Sequence, residues 1–271
     1  MQDQQIEKNT LLCIGLDPDP LQFPAAIKQH HNPFFTFNKA IIDATHDIAC
    51  CYKPQIAHYA AQGREHELLM TIDYIKSLGM PTLLDAKRGD VAPTAAMYAM
   101  ELFERYGADA ITINPFLGMD SMAPFLDHAD KGVFILCRTS NPGSSELQNM
   151  VFSNGLRLYE HIAKLAVEKW NYNGNVGLVV GATWPEELKK IRQLTGNTTF
   201  LVPGVGSQGA SIKAMMRAGS GGGMLVNASR SIIFANNEDF AAAARQKAIM
   251  TRDELNQYRT TSGTTLIPTL N

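Results

Sequence analysis

Short apolar runs recur along the chain at a nearly constant spacing. Each spans three to six residues, and most are rich in β-branched side chains, which is typical of buried strands. The eight runs are residues 11–16, 48–52, 81–84, 110–113, 133–137, 176–180, 199–202 and 224–226. The first and last runs end 210 residues apart, so one repeat averages about 30 residues. A strand with its crossover helix needs about that length.

The segments between the runs carry the periodicity of helices. Leu68, Ile72 and Ile75 would share one helical face. A similar face is predicted for Ala96, Met100 and Phe103, and a last helix is predicted at 238–257. The strands are apolar on both faces, which favours a parallel sheet covered on each side. The pattern therefore predicts an α/β protein that folds as a (β/α)8 TIM barrel.

Residues 1–271 are predicted to form a single barrel domain, because no linker rich in Pro, Gly or Ser divides the chain. Two connections are long, residues 17–47 and 138–175, and we expect extra helices or lid segments in them. The C-terminal tail from about residue 259 has no periodicity and is expected to be loosely attached.

Composition and charge narrow the classes of function. Hydrophobic residues make up 45% of the 271 residues and charged residues 18%, which predicts a folded domain with a large core. The 24 basic and 26 acidic residues give a formal net charge of −2, which argues against general nucleic-acid binding. No apolar run approaches the ~18 residues that would cross a membrane.

The cysteines and histidines favour a cytoplasmic protein without a metal site. All four cysteines lie inside apolar runs without a C-x-x-C pair, so we interpret them as reduced core residues. The first ten residues are polar and lack the apolar region of a secretory signal. The seven histidines form no H-E-x-x-H motif and no His/Cys cluster, so no zinc ligands are predicted.

In a barrel of this kind, chemistry takes place at the carboxyl ends of the strands. The polar residues that directly follow the predicted strands are therefore the candidates for a site. They are Asp17, Lys53, Asp85, Lys87, Asp90, Asn114, Thr139, Ser140, Gln208 and Arg230.

The densest group is the segment D-A-K-R-G-D, which contains Asp85, Lys87 and Asp90. Asp85 and Lys87 are two residues apart, so in extended backbone they would point to the same side. Flanking carboxylates favour the protonated form of Lys87, which suits a proton donor better than a Schiff-base nucleophile. The alternative interpretation is a solvated ion pair, with Asp90 as a helix N-cap.

The segment G-V-G-S-Q-G, with Gly204 and Gly206, follows the seventh predicted strand. It has the form of a dinucleotide motif but lacks the acidic residue expected about 20 positions later. A phosphate loop is the better interpretation, because exposed backbone N–H groups at a helix start attract an anion. Arg230, after the eighth strand, could bind the same phosphate. Glycines needed only for tight turns, with a surface Arg230, are the alternative.

Thr139 and Ser140 follow the fifth strand in C-R-T-S-N-P-G, without a His and acid patterned as a triad. We interpret them as hydrogen-bonding groups for a polar ligand rather than as nucleophiles.

Together these segments resemble the orotidine 5′-phosphate decarboxylase family, in its longer bacterial and apicomplexan type. The segment T-L-L-D-A-K-R-G-D-V-A-P-T, from Thr82 to Thr94, fits the D-x-K-x-x-D signature of that family. G-L-D-P, Y-K-P-Q, T-S-N-P-G, P-G-V-G-S-Q-G and N-A-S-R also match it in order along nearly the whole chain. The signature alone is shared with related sugar-phosphate lyases, whereas its combination with T-S-N-P-G and N-A-S-R is more specific.

The resemblance implies that orotidine 5′-monophosphate loses CO2 to give UMP without a metal or organic cofactor. Lys87 would stabilise the C6 carbanion and protonate it, Asp85 would hold Lys87, and Asp90 would reach into the neighbouring subunit of a homodimer. The remaining matched residues would bind the substrate. Asp17 and Lys53 would bind the ribose, and Ser140, with Thr139 beside it, would bind the pyrimidine edge. Gln208, Arg230 and the loop with Gly204 and Gly206 would bind the phosphate, and Thr94 would make a further contact.

Three other functions are alternatives that the sequence pattern leaves open. A metal-dependent sugar-phosphate lyase would need an acidic Mg²⁺ ligand near the ends of the second and third strands, and none is evident. A Schiff-base aldolase would need a neutral lysine. A non-catalytic nucleotide-binding barrel would have no need for Asp85, Lys87 and Asp90 together.

Overall fold

The computed structural model describes residues 1–206, 209–236 and 238–261. Within these ranges eight strands form one sheet, and all paired strands run parallel. The strands are β1 Leu12–Leu16, β2 Cys51–Pro54, β3 Leu83–Arg88, β4 Ala110–Ile113, β5 Gly132–Arg138, β6 Val176–Val180, β7 Phe200–Pro203 and β8 Met224–Ala228.

The sheet closes on itself. Apart from β2 and β3, strands adjacent in the chain pair with each other, and β1 also pairs with β8. The remaining gap, between β2 and β3, is bridged at Tyr52–Thr82 and at Gln55–Asp85. Because this closure joins the ends of the sheet, the predicted (β/α)8 barrel is confirmed. The second strand lies three residues later than predicted, since its apolar run begins in the buried turn before the ladder.

Helices surround the barrel, and the longer ones bury apolar side chains against it. They are α1 Gln2–Glu7, α2 Ala25–Lys28, α3 Pro33–Thr45, α4 Ile56–Ala60, α5 Glu65–Ser77, α6 Ala92–Ala99, α7 Met119–Leu126, α8 Ser145–Gln148, α9 Leu158–Leu165, α10 Pro185–Thr195, α11 Ile212–Gly219, α12 Arg230–Ile233 and α13 Phe240–Thr261. Both long connections contain helices, as predicted: α2 and α3 in the first, α8 and α9 in the second.

One predicted helical face is wrong. Met100 is 47% exposed, whereas Ala95, Ala99 and Leu102 are buried. The buried face lies one residue away from the predicted one, because Ala95 and Ala99 point inward in place of Ala96 and Met100. Phe103, the third predicted position, is buried in the π-helical segment Met100–Arg105 that continues α6. The face predicted for Leu68, Ile72 and Ile75 is confirmed, because all three are fully buried.

Inside the barrel, apolar side chains fill the lower part and polar side chains lie above them. A separate buried cluster includes Cys13, Cys51, Leu83, Phe134 and Leu225. The next inward-facing positions along the strands carry Lys53, Asp85, Thr112 and Asn227, all of them buried. At the opposite end α1 covers the barrel, and the Gln5 Nε2 donates to the Met224 carbonyl at 2.7 Å. The polar layer is therefore reached from the carboxyl ends of the strands.

The last helix, α13, begins two residues after its predicted start and continues to Thr261. The Asn256 side chain donates to the Asn9 carbonyl at 2.7 Å, which ties this helix to the turn between α1 and β1. Most of the tail predicted to be loose, residues 262–271, lies outside the described residues. Among the helices described, none is long and apolar enough to span a bilayer.

Candidate active site

The ends of β2 and β3 bring three charged side chains together. The Lys53 Nζ lies 2.9 Å from the Asp85 Oδ2, and the Lys87 Nζ lies 2.6 Å from the Asp85 Oδ1. The side chain of Lys53 is 4% exposed, whereas that of Lys87 is 43% exposed. The arrangement is one carboxylate between two ammonium groups, of which only Lys87 faces the mouth of the barrel.

The charges of this network keep both Asp85 and Lys53 ionised. Burial alone would raise the pKa of the Asp85 carboxyl, but the charges of Lys53 and Lys87 outweigh burial and hold that pKa far below its usual value. Burial alone would lower the pKa of Lys53, but Asp85 and Asp17 outweigh it and raise the pKa. Asp85 is therefore an anion and Lys53 a cation at neutral pH.

A bulge in β3 shapes the site. Leu84 lies opposite Ile111 and Arg88 opposite Ile113, so the three residues between them face Thr112 alone. Lys87 adopts φ +47°, in the left-handed region that non-glycine residues rarely enter. The expectation of an extended backbone at Lys87 is therefore wrong, although its ammonium does meet Asp85. Backbone strain of this kind is concentrated at functional sites.

Thr112 is a site residue that the sequence analysis missed. Its hydroxyl donates to the Asp85 Oδ1 at 2.8 Å and accepts from the backbone N–H groups of Ala86 and Lys87, both at 3.0 Å. The only signal in the sequence is a hydroxyl residue inside the otherwise apolar run A-I-T-I.

Asp17 follows β1 and approaches the same region. Its Oδ1 is buried and has no hydrogen-bond partner among the described residues. Its charge contributes to the raised pKa of Lys53, which shows that the two groups interact. A buried acceptor without a partner is available to a ligand hydroxyl.

Asp90 lies in the turn between β3 and α6. Its Oδ1 accepts from the Val91 N–H at 2.7 Å, and the described part of the chain shows no ion pair between Asp90 and Lys87. The N-cap of α6 is Val91, so Asp90 is not the helix N-cap of the alternative interpretation. Thr94 is exposed on the first turn of α6.

Thr139 and Ser140 lie in the loop after β5, where neighbouring side chains hydrogen-bond to their backbone. The Gln148 side chain accepts from the Thr139 N–H and donates to its hydroxyl, each at 2.9 Å. The Trp184 indole donates to the Thr139 carbonyl at 2.9 Å, and the Thr183 hydroxyl donates to the Ser140 carbonyl at 3.0 Å. This loop is consequently fixed from both sides at the barrel mouth.

The predicted phosphate loop follows β7. Gly204 and Gly206 have φ values of +108° and +88°, so both need the freedom of glycine. A Cβ on Gly206 would lie 2.9 Å from the Ser231 Cβ, so the loop packs closely against the start of α12. Arg230, the first residue of α12, is exposed there. Gln208 lies outside the described residues.

Among the described residues, no three His, Cys, Asp or Glu side chains are grouped so that they could hold a metal ion. The positive charge at the mouth of the barrel comes instead from lysine side chains.

A closed (β/α)8 barrel with a charged network at the carboxyl ends of its strands defines the class of barrel enzymes. Comparison with known families specifies which one. Residues 10–246 match the model of the Orotidine 5′-phosphate decarboxylase / HUMPS family, and the chain belongs to that family.

Similar proteins cover nearly the whole chain. A relative from Azoarcus sp. (strain BH72), named Orotidine 5′-phosphate decarboxylase, is 52% identical over 93% of this chain and 96% of its own. A relative of the same name from Ralstonia pickettii (strain 12J) is 51% identical over 93% and 94%. The solved structure of Leishmania donovani OMP decarboxylase is 39% identical with a TM-score of 0.82, covering 95% of this chain and 98% of that one.

Proposed function

We propose that the protein is a carboxy-lyase that converts orotidine 5′-monophosphate to UMP and CO2 in pyrimidine synthesis. The observation that carries this proposal is the Lys53–Asp85–Lys87 network at the mouth of the barrel, in a chain about half identical to relatives named for this activity. A fixed cation at the site of a developing carbanion is the feature that such a reaction requires.

Lys87 is the proton donor in this proposal. The bond between C6 and the carboxylate carbon breaks, CO2 leaves, and the electron pair stays on C6, where the pyrimidine ring delocalises it poorly. The Lys87 ammonium stabilises this charge and then gives its proton to C6, which forms UMP. The neutral amine regains a proton from water. The sequence of steps uses neither a metal nor an organic cofactor.

Asp85 keeps the donor in place. Its carboxylate is ionised and binds the Lys87 ammonium on one oxygen and Lys53 on the other. It would lie beside the departing carboxylate of the substrate. Lys53 and Asp17 would bind the ribose hydroxyls, which is consistent with the unpartnered Oδ1 of Asp17.

The loops around the mouth would bind the ends of the nucleotide. Ser140, with Thr139 beside it, would contact the pyrimidine edge, and Thr94 would contribute a further contact. Gly204, Gly206, Gln208 and Arg230 would bind the phosphate, whose binding energy then helps the chemistry at C6.

We infer that the active unit is a homodimer in which Asp90 completes the partner's site. The supporting observation is the exposure of three large apolar side chains in the segments that follow β3 and β4. Val91 is 56% exposed, Met97 59% and Phe116 82%. Exposed large apolar side chains are a feature of protein–protein contact surfaces. We also place the reaction in the cytoplasm, because all four cysteines are free thiols.

The test is the loss of orotidine 5′-monophosphate absorbance on mixing with the purified protein in the presence of EDTA. We expect stoichiometric UMP and CO2. Absence of turnover with and without Mg²⁺ would overturn the proposal. Turnover only with Mg²⁺ would indicate a metal-dependent lyase, and covalent trapping of substrate by borohydride would indicate a Schiff-base enzyme.

A further inference from the structure

We propose that Thr112 is a positioning residue that fixes the bulge of β3 and so directs Lys87 and Asp85 toward the reacting carbon. The inference rests on the proposed function of this site. It follows from the register between β3 and β4 and from the three hydrogen bonds of one hydroxyl group.

The bulge leaves backbone N–H groups of β3 without acceptors in the strand ladder, and the Thr112 hydroxyl accepts from them. Between the pairs Leu84–Ile111 and Arg88–Ile113, three residues of β3 face a single residue of β4. A regular parallel ladder cannot supply carbonyl acceptors for the extra N–H groups. The Thr112 hydroxyl accepts from the Ala86 and Lys87 N–H groups in their place. A side chain thus replaces part of the ladder.

All hydrogen-bonding capacity of this hydroxyl is used. A threonine hydroxyl can donate once and accept twice. Thr112 accepts from two amides and donates to the Asp85 Oδ1, the same oxygen that binds the Lys87 ammonium. One buried group therefore contacts the backbone of the proton donor and the carboxylate that holds its ammonium.

The conformation of Lys87 depends on this support. Its φ of +47° is unfavourable for a residue with a Cβ and persists only where surrounding contacts enforce it. Thr112 is 1% exposed, so water cannot replace its hydroxyl without a rearrangement. Without the hydroxyl we expect β3 to relax toward a regular strand and the Lys87 ammonium to move away from C6.

The experiment compares Thr112→Val, which keeps the shape and removes the hydroxyl, with Thr112→Ser, which keeps the hydroxyl. Each is measured for kcat and for the binding of two probes. UMP reports general nucleotide binding, and a UMP analogue with an oxyanion at C6 reports the placement of Lys87, because it presents negative charge where the carbanion forms.

We expect Thr112→Val to lower kcat at least tenfold and to weaken the oxyanion analogue about tenfold more than UMP. Thr112→Ser should stay within threefold of the wild type in all measurements. A purely structural role would weaken both probes equally. If the ratio of the two affinities changes by less than threefold in Thr112→Val, or if Thr112→Ser does not restore it, the proposal is wrong.

Two controls complete the experiment. Thr195→Val removes a buried hydroxyl of α10 that, within the described part of the chain, bonds only to the Ile191 carbonyl, and it should leave the affinity ratio unchanged. If Thr112→Val does not fold, Thr112→Cys replaces it under the same criterion, since a thiol hydrogen-bonds weakly. A wild type without decarboxylase activity would contradict the proposed function, whereas an active wild type with an unchanged ratio in the variant contradicts this inference alone.

Discussion

At the scale of single residues, the two lysines that bind Asp85 have different surroundings. Lys53 is enclosed, and Lys87 faces the mouth of the barrel. Because Lys53 stays charged beside Asp85, the carboxylate keeps a partner when Lys87 gives up its proton. The network can therefore release one proton without leaving a buried charge unpaired, which would be costly.

Lys87→Ala tests the proton donor. We expect kcat to fall at least about hundredfold, the range assigned to a positioned general acid. Folding should be retained, because the Lys87 side chain is partly exposed and Asp85 keeps its ion pair with Lys53. The measurements are turnover, UMP binding and the thermal midpoint. Retention of more than about a tenth of kcat, roughly 1.4 kcal/mol of barrier, would exclude Lys87 as the donor.

The sequence identified Asp85 and Lys87 but not Thr112, and the reason is physical. A charged pair at a predicted strand end is visible in the one-dimensional pattern, since both residues directly follow an apolar run. The role of Thr112 depends on a register shift between two strands. Register is set by three-dimensional pairing, so no pattern within A-I-T-I could have shown which groups its hydroxyl would contact.

At the scale of secondary-structure elements, buried strands were predictable and local irregularities were not. All eight strands lie at or next to their predicted positions, because strands covered on both faces must be apolar throughout. The face around α6 was predicted one residue out, since Ala95 and Ala99 are buried rather than Ala96 and Met100. Both pairs consist of small or apolar residues, so periodicity alone does not choose between them. The bulge of β3 inserts residues without altering composition, so it also escapes periodicity arguments.

The loop after β7 offers a test of the phosphate site. Gly206 has a positive φ, and a Cβ there would crowd Ser231 at the start of α12. Gly206→Ala should therefore displace the loop and weaken UMP binding at least tenfold, about 1.4 kcal/mol. Uridine, which lacks the phosphate, should bind with nearly unchanged affinity. Calorimetry with both ligands measures the difference.

Gly63→Ala provides a matched control for that loop. Gly63 also has a positive φ of +62°, but no atom lies within 4 Å of a Cβ placed there. Both substitutions place a Cβ on a residue with positive φ, but only Gly206→Ala brings that Cβ against the start of α12. Equal losses for UMP and uridine in Gly206→Ala, or an equal loss of UMP binding in Gly63→Ala, would argue against a phosphate loop.

At the scale of the whole molecule, Asp90 is the predicted catalytic residue that, among the described residues, does not join the Lys53–Asp85–Lys87 network of its own chain. Asp85, Lys87 and Lys53 meet within one chain, whereas the Asp90 carboxylate binds the adjacent Val91 N–H. The turn that carries Asp90 leads into the exposed Val91, and Met97 is exposed farther along α6. An isologous dimer through this surface would bring the turn of each chain to its partner.

A mixture of two inactive variants tests the shared site. Asp90→Ala and Lys87→Ala homodimers should each be nearly inactive. If Asp90 acts across the interface, one site of a mixed dimer carries both lesions and the other carries neither. Random exchange makes half of the dimers mixed, so activity should return to about one quarter of the wild type. If Asp90 serves its own barrel, every site stays defective, and mixing with exchange verified by an affinity tag restores no activity.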